Sequence, residues 1–184
     1  MRLSDKRYEE IKQEVANMFI DYGIRGIPIN PFEVCKRIGI EVIPYSRLNK
    51  EKRNKSLETS FDGYSVETLE GKWQIYYNDY KKNRGRINQT IMHEVAHYIL
   101  GHIEDGEEEE AEAGFFAKYA LASPPLIHNL CSLRSINEVK ETFDISHDAA
   151  KNALVNYDSW MRYGEKNYVV YEEQILKQFG IEYD

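Results

Sequence analysis

The chain has 184 residues, of which 42% are hydrophobic and 30% charged, and its formal net charge is -7. This composition excludes a disordered or low-complexity polymer, and the length corresponds to one globular domain with at most a small appendage. The acidic balance, without a basic stripe, argues against nonspecific nucleic-acid binding. No signal-peptide pattern or bilayer-length apolar run is present, so we expect a cytoplasmic protein without a membrane segment. Cys35 and Cys131 lie alone among apolar neighbours, which predicts reduced thiols in the core.

The first half of the chain predicts two capped helices and a small sheet. Ser4 precedes a helix whose apolar positions recur every three to four residues. Asn30 and the proline after it begin a shorter helix that ends at Gly39. Short strands, expected to form an antiparallel or mixed sheet, are predicted at 40–43, 61–66 and 73–78. The polar stretch 46–56 is predicted to be a mobile surface loop, and a substrate-contacting loop is the alternative.

The second half of the chain predicts helices. A helix over 87–101 is followed by an acidic segment and a second helix over 107–122, which two consecutive prolines stop. Ser135 begins a capping box ahead of a short helix, and Ser146 can cap a longer helix over 147–162. The segment 163–184 predicts either a helix docked on the core or a partner-binding segment.

An HExxH motif lies in the first of these helices, formed by His93, Glu94 and His97. A helix advances by about 100° per residue, so the two histidines lie about 40° apart and one turn along the axis. Both rings can therefore reach one tetrahedral Zn²⁺ ion. Glu94 lies beside them, where a carboxylate can act as a general base toward water. A satisfied pair of core histidines is the alternative, but this group is costly to bury without a metal.

A third metal ligand is needed, and helix phase separates the candidates. His102 faces away from the histidine pair unless the helix breaks at Gly101, and we expect it to contact the carbonyls at the helix end. In the following helix, Glu110 falls within the apolar arc, where a carboxylate requires a partner such as Zn²⁺. In contrast, three other acidic residues of this helix are expected to point into solvent: Glu107, Glu108 and Glu112. The helix dipole favours acidic side chains near the N-terminus of a helix.

Further stretches around the motif occur in a characteristic order. They are PINPFEVCKRIGIEVIPY, GYS, WQIYYN, RINQTIMHEVAHYILGH, EAEAGFFAKYALASP and INEVKETFDISHDAAKNAL. Together they resemble the ImmA/IrrE family of zinc metallo-endopeptidases, over most of residues 24–155. The resemblance implies a catalytic base at Glu94 and zinc ligands at His93, His97 and Glu110. It also implies a protein substrate, namely a transcriptional repressor of the helix-turn-helix type.

The resemblance and the predicted elements together give an α+β fold in two parts. Residues 1–125 would form a zincin-like metallopeptidase domain, with a small sheet packed on helices. Residues 126–184 would form a helical region, with a helix-turn-helix-like segment, that packs on this domain. The strand at 73–78 resembles the edge strand on which such peptidases hold an extended substrate, and an ordinary core strand is the alternative.

The sequence therefore predicts a zinc-dependent endopeptidase that performs limited proteolysis of a transcriptional repressor. The alternative is a regulatory module with a structural metal site, in which the segment 135–160 contacts DNA or a repressor. Acidic residues match the basic ones in that segment, which favours packing against the peptidase domain. The sequence leaves the oligomeric state open.

Overall fold

The computed structural model describes residues 2–103 and 106–183. They form a mixed α+β fold that is mostly helical, with one small sheet. The helices are α1 (Asp5–Asp21), α2 (Pro31–Ile38), α3 (Lys50–Thr59), α4 (Arg84–Leu100), α5 (Glu107–Leu121), α6 (Pro124–Leu130), α7 (Ile136–Phe143), α8 (His147–Tyr163) and α9 (Val170–Gln178). The strands are β1 (Glu41–Pro44), β2 (Gly63–Glu67) and β3 (Trp73–Tyr77). Among the described residues, no helix combines the length and the apolar character that a membrane crossing requires.

Several helices begin at the caps that the sequence predicts. The side-chain oxygens of Ser4, Asn30 and Ser146 each accept a hydrogen bond from a backbone N–H in the first turn of α1, α2 and α8. Ser135 caps α7 in the same way, but Glu138 does not close the expected capping box. Its carboxylate instead accepts from backbone N–H groups in the preceding loop, which is therefore tied to α7.

The sheet has the strand order β1-β3-β2, with β1 parallel and β2 antiparallel to β3. The strand that resembled a substrate-binding edge, 73–78, therefore corresponds to the central strand, and that expectation was wrong. Ile75 at its middle is fully buried, as in an ordinary core strand. β2 lies at an edge of the sheet.

The polar stretch 46–56 is not a loop, because it contains a 3-10 turn (Tyr45–Arg47) and most of α3. Helix α3 has no apolar stripe, and Ser56 is its only buried residue, so hydrophobic periodicity could not reveal it. Asn49 caps the helix, and the lysine, glutamate and arginine residues that follow have good helix propensity. The hydroxyl of buried Tyr45 donates to the Ser60 carbonyl at 3.0 Å, which holds the end of α3 on the fold.

One hydrophobic cluster includes side chains from both halves of the chain. Helix α4 contacts α5, α1, α2, β2 and β3, so the predicted metal helix lies at the centre of these contacts. The segment 163–184 contains α9, which docks on α1. The side-chain amide of Gln178 donates to the carbonyls of Phe19 and Ile24 at 2.9 and 3.0 Å. Cys35 and Cys131 are buried and not disulfide-bonded, as predicted. The domain boundary at residue 125 stays a prediction.

Candidate metal centre

Two histidines of α4 and one glutamate of α5 meet at one point. The Nε2 atoms of His93 and His97 are 3.2 Å apart. The Glu110 carboxylate lies 3.2 Å from Nε2 of His93 and 3.5 Å from Nε2 of His97. One ligand atom from each of the three residues lies within 4.8 Å of the others, a group that could hold a metal ion. The structure thus brings together the three residues that the sequence predicts as ligands.

The packing of α4 against α5 explains this geometry. The apolar face of α4, with Met92 and Ala96 fully buried, faces the core and leaves the histidines at the edge of the packed surface. On α5, Ala113 and Ala117 are also fully buried. Small side chains at a helix contact let two backbones approach closely. This approach brings Glu110 on α5 within reach of the histidine pair on α4.

Glu94 lies next to the histidines and contacts the edge strand. Glu94 is only 9% exposed, and its Oε2 atom accepts a 2.7 Å hydrogen bond from the hydroxyl of Ser65 in β2. Gly63 in the same strand approaches α4 so closely that an added Cβ would lie 2.7 Å from the Thr90 side chain. The absence of a side chain at Gly63 therefore lets β2 lie against α4, which places Ser65 on Glu94. Sequence reasoning missed Ser65, although strand alternation puts it on the same face as Gly63.

The four predicted site residues, His93, Glu94, His97 and Glu110, open onto one cleft of about 480 Å³. Its other lining residues come from the end of α3, the start and middle of β2, and α4: Thr59, Ser60, Asp62, Gly63, Tyr64, Ser65 and Thr90. The candidate metal centre therefore lies in a groove that runs beside the edge strand.

The sequence predicted that His102 contacts the carbonyls at the end of α4, but the structure places its side chain on His97 and Glu112 instead. Helix α4 ends at Leu100, and Gly101 has a positive φ of 68°, a conformation that suits glycine. This turn carries His102 back toward the helix, where its Nδ1 lies 3.0 Å from Nδ1 of His97. His102 therefore contacts His97, one of the candidate ligands, and does not belong to the group that could hold a metal ion.

Glu112 is buried, although the sequence predicted that it points into solvent. Its side chain is 7% exposed and accepts hydrogen bonds from Nε and Nη2 of Arg7 at 2.5 and 2.6 Å. Nε2 of His102 lies 2.9 Å from the same carboxylate. The Arg7 hydrogen bonds lower the pKa of Glu112 below its ordinary value, against the opposing effect of burial and with a smaller contribution from His102.

Glu110, in turn, is more exposed than the helix phase suggested, at 53% of its side chain. Glu110 and Glu112 are two positions apart and therefore lie on different sides of α5. The apolar arc correctly predicted that α5 packs against the core, but partners from α1 and from the end of α4 determine which carboxylate is buried. Glu110 reaches the histidine pair from the rim of the cleft.

In comparisons with known proteins, no family model and no curated protein matched the chain. A functional conclusion therefore depends on the chemistry of the residues in the cleft.

Proposed function

We propose that the protein is a zinc-dependent endopeptidase of the ImmA/IrrE type with a zincin-like fold. The observation that carries this proposal is the meeting of His93, His97 and Glu110 in a cleft, with the buried carboxylate of Glu94 beside them. Catalytic zinc sites use three protein ligands and keep a fourth position open, whereas structural sites are closed by four protein ligands. In the part of the chain that the structure describes, the group contains three such residues, which favours a catalytic site over a structural one.

The donor set supports zinc as the metal. Two imidazole nitrogens and one carboxylate oxygen are a known ligand set of catalytic zinc, and imidazole is less suited to Mg²⁺ or Ca²⁺. The three donors come from two packed helices, which hold them in place before a metal arrives. His93, His97 and Glu110 would therefore hold the ion.

Glu94 would perform the proton transfers of peptide hydrolysis. A bound zinc ion supplies Lewis acidity, which lowers the pKa of a water and polarises the scissile carbonyl. The Glu94 carboxylate would take the proton of the attacking water and then deliver it to the leaving amine. The hydrogen bond from Ser65 fixes the orientation of this carboxylate.

The edge strand β2 supports an extended peptide as the substrate. β2 lines the cleft through Gly63, Tyr64 and Ser65. A peptide can add to a sheet edge by backbone hydrogen bonds, and this pairing would align it along the candidate metal centre. The resemblance to ImmA/IrrE proteins adds a substrate class, a helix-turn-helix repressor that is cut at a limited number of sites.

The role of Glu94 can be tested by comparing the purified, zinc-loaded wild type with Glu94→Gln. Each protein is incubated with a proteome-derived peptide library, and the cleavage products are identified by mass spectrometry. The wild type should cut peptides at a restricted set of sequences. The variant should lose about 10²- to 10⁴-fold in rate, because the amide cannot accept the proton of water. Its zinc content should equal that of the wild type, because Glu94 is not among the ligands.

Glu108→Gln is the matched control, because Glu108 is an exposed glutamate of α5. This variant should cleave peptides at the rate of the wild type. Co-expression with helix-turn-helix repressors then tests the substrate class, with a discrete repressor fragment expected only with an intact Glu94. Zinc bound by the wild type without any peptide cleavage would contradict the enzyme and favour a structural metal site.

A further inference from the structure

A line of four side chains runs from the cleft to the first helix. Nδ1 of His97 lies 3.0 Å from Nδ1 of His102, and Nε2 of His102 lies 2.9 Å from Oε2 of Glu112. Arg7 of α1 then donates two hydrogen bonds to the Glu112 carboxylate. His97, His102 and Glu112 each have side chains that are only 7% exposed, so water competes little for these contacts.

The acid end of this line determines where the protons lie. A carboxylate that already accepts two hydrogen bonds from a guanidinium is ionised and can only accept, so Nε2 of His102 must donate to Glu112. A neutral imidazole that carries its proton on Nε2 has an acceptor at Nδ1. When both imidazoles are neutral, the contact between the two Nδ1 atoms therefore requires that Nδ1 of His97 is the donor.

The same logic gives the tautomer of His97. With its proton on Nδ1, its Nε2 atom is an acceptor and lies 3.5 Å from Glu110 and 3.2 Å from His93. An imidazole binds a metal through an unprotonated nitrogen. Ligating histidines usually donate the other ring N–H to a partner that fixes both ring orientation and tautomer.

We propose that His102 and Glu112 are positioning residues that present Nε2 of His97 to the metal, with Arg7 anchoring the outer end. This inference rests on the proposed function, because it assigns His97 as a ligand. His102 replaces the carboxylate or carbonyl that commonly contacts a ligating histidine, and Glu112 fixes the direction of the hydrogen bonds. Helix α1 is thereby connected to the catalytic centre without lining the cleft.

The alternative is that the line only joins α1, α4 and α5. Nuclear magnetic resonance of the wild type with ¹⁵N-labelled histidine distinguishes the two at mildly alkaline pH, where ordinary imidazoles are neutral. The metal-free protein should show His97 protonated on Nδ1 and His102 protonated on Nε2. The reverse tautomers, or a mixture of both forms at His97, would overturn the proposal.

A pair of substitutions at His102 then tests the effect on zinc. In His102→Asn, the amide oxygen is bonded to Cγ, as Nδ1 is in histidine, and it can still accept a hydrogen bond from His97. In His102→Leu, the side chain fills the space but offers no acceptor. The leucine variant should bind zinc about 10- to 100-fold more weakly in a chelator competition. The asparagine variant should recover most of this loss, and His147→Asn, at an exposed histidine, should match the wild type.

The melting temperature of the metal-free variants separates positioning from stability. A merely structural role would lower it and weaken zinc binding in parallel, whereas positioning predicts that zinc affinity follows the acceptor at position 102. Equal zinc affinities for the leucine and asparagine variants would overturn the inference. If zinc binds and the wild type cleaves peptides in that case, the proposed function stands alone; a wild type that binds no zinc overturns both.

Discussion

Asp62 shows how one residue fixes the edge strand to the metal helix. It immediately precedes β2 and lines the cleft, and its carboxylate accepts two 2.8 Å hydrogen bonds from Arg86 in the first turn of α4. Lys81 contacts the same carboxylate. The Arg86 hydrogen bonds, with Lys81, lower the pKa of Asp62 from 3.8 to about 2, against the opposing effect of burial. The ion pair between Asp62 and Arg86 therefore holds the N-terminal end of β2 against the first turn of α4.

The pKa of Asp62 gives a prediction about stability in acid. Because the folded-state pKa is lowered, the stabilisation is complete above the unfolded value of 3.8 and is lost as the pH falls toward about 2. The full shift corresponds to about 2 kcal/mol, and because the side chain is 36% exposed, we expect about 1 kcal/mol. Urea unfolding of the wild type and Asp62→Asn should differ by this amount at neutral pH.

The difference between the two proteins should shrink as the pH falls below 4, while other acid-labile groups affect both alike. Asp158→Asn is the matched control, because Asp158 is an exposed aspartate in the middle of α8. A difference that stays constant down to the lowest pH at which both proteins fold would contradict this account of Asp62.

At the scale of elements, α5 presents carboxylates to two different environments. Glu110 faces the cleft and lies by the histidine pair, whereas Glu112 faces Arg7 and His102. The rotation of α5 about its own axis decides which carboxylate faces the candidate metal centre and which accepts the hydrogen bonds from Arg7. The two functions cannot be exchanged without turning the helix and exposing its buried alanines.

This arrangement predicts that zinc binding depends on Glu110 and not on Glu108, whose side chain is exposed. Under the proposed function zinc would bind the folded state, so it should raise the melting temperature of the wild type by mass action. In Glu110→Ala most of that rise should disappear, because only two protein ligands remain. Glu108→Ala is the matched control, since Glu108 is an exposed residue of the same helical turn, and it should keep the full rise. Equal zinc-dependent rises in both variants would exclude Glu110 as a ligand.

Local signals in the sequence predicted much of the fold and the candidate metal centre. The capped helices follow from side chains that bond within one turn, and the HExxH spacing places His93 and His97 on one helix face. The strand order, Ser65 on Glu94 and Arg7 on Glu112 depend on pairing between segments that are distant in the chain. Helix α3 was missed because it buries almost no apolar surface. Spacing along one element carries no information about such partners.

At the scale of the whole molecule, the last helix closes against the first. Phe179, directly after α9, packs its ring 5.1 Å from that of Phe19 in α1, and Ile175 of α9 is fully buried. The two tryptophans of the chain report on different regions. Trp73 lies in β3, and Trp160 in α8 donates to Glu172 of α9 at 2.7 Å. Because one hydrophobic cluster includes side chains from both regions, we expect them to unfold together.

Ile175→Ala tests this cooperativity in two backgrounds, Trp73→Phe and Trp160→Phe, each of which leaves one fluorescent reporter. Removing a fully buried isoleucine side chain should lower the free energy of unfolding by about 2–5 kcal/mol. Both reporters should shift to lower urea concentration by the same free energy, although the substitution lies far along the chain from Trp73. Val170→Ala, at a position that is 69% exposed, is the control and should change little. A shift at Trp160 without one at Trp73 would show instead that the chain divides into two folding units, as a domain boundary near residue 125 predicts.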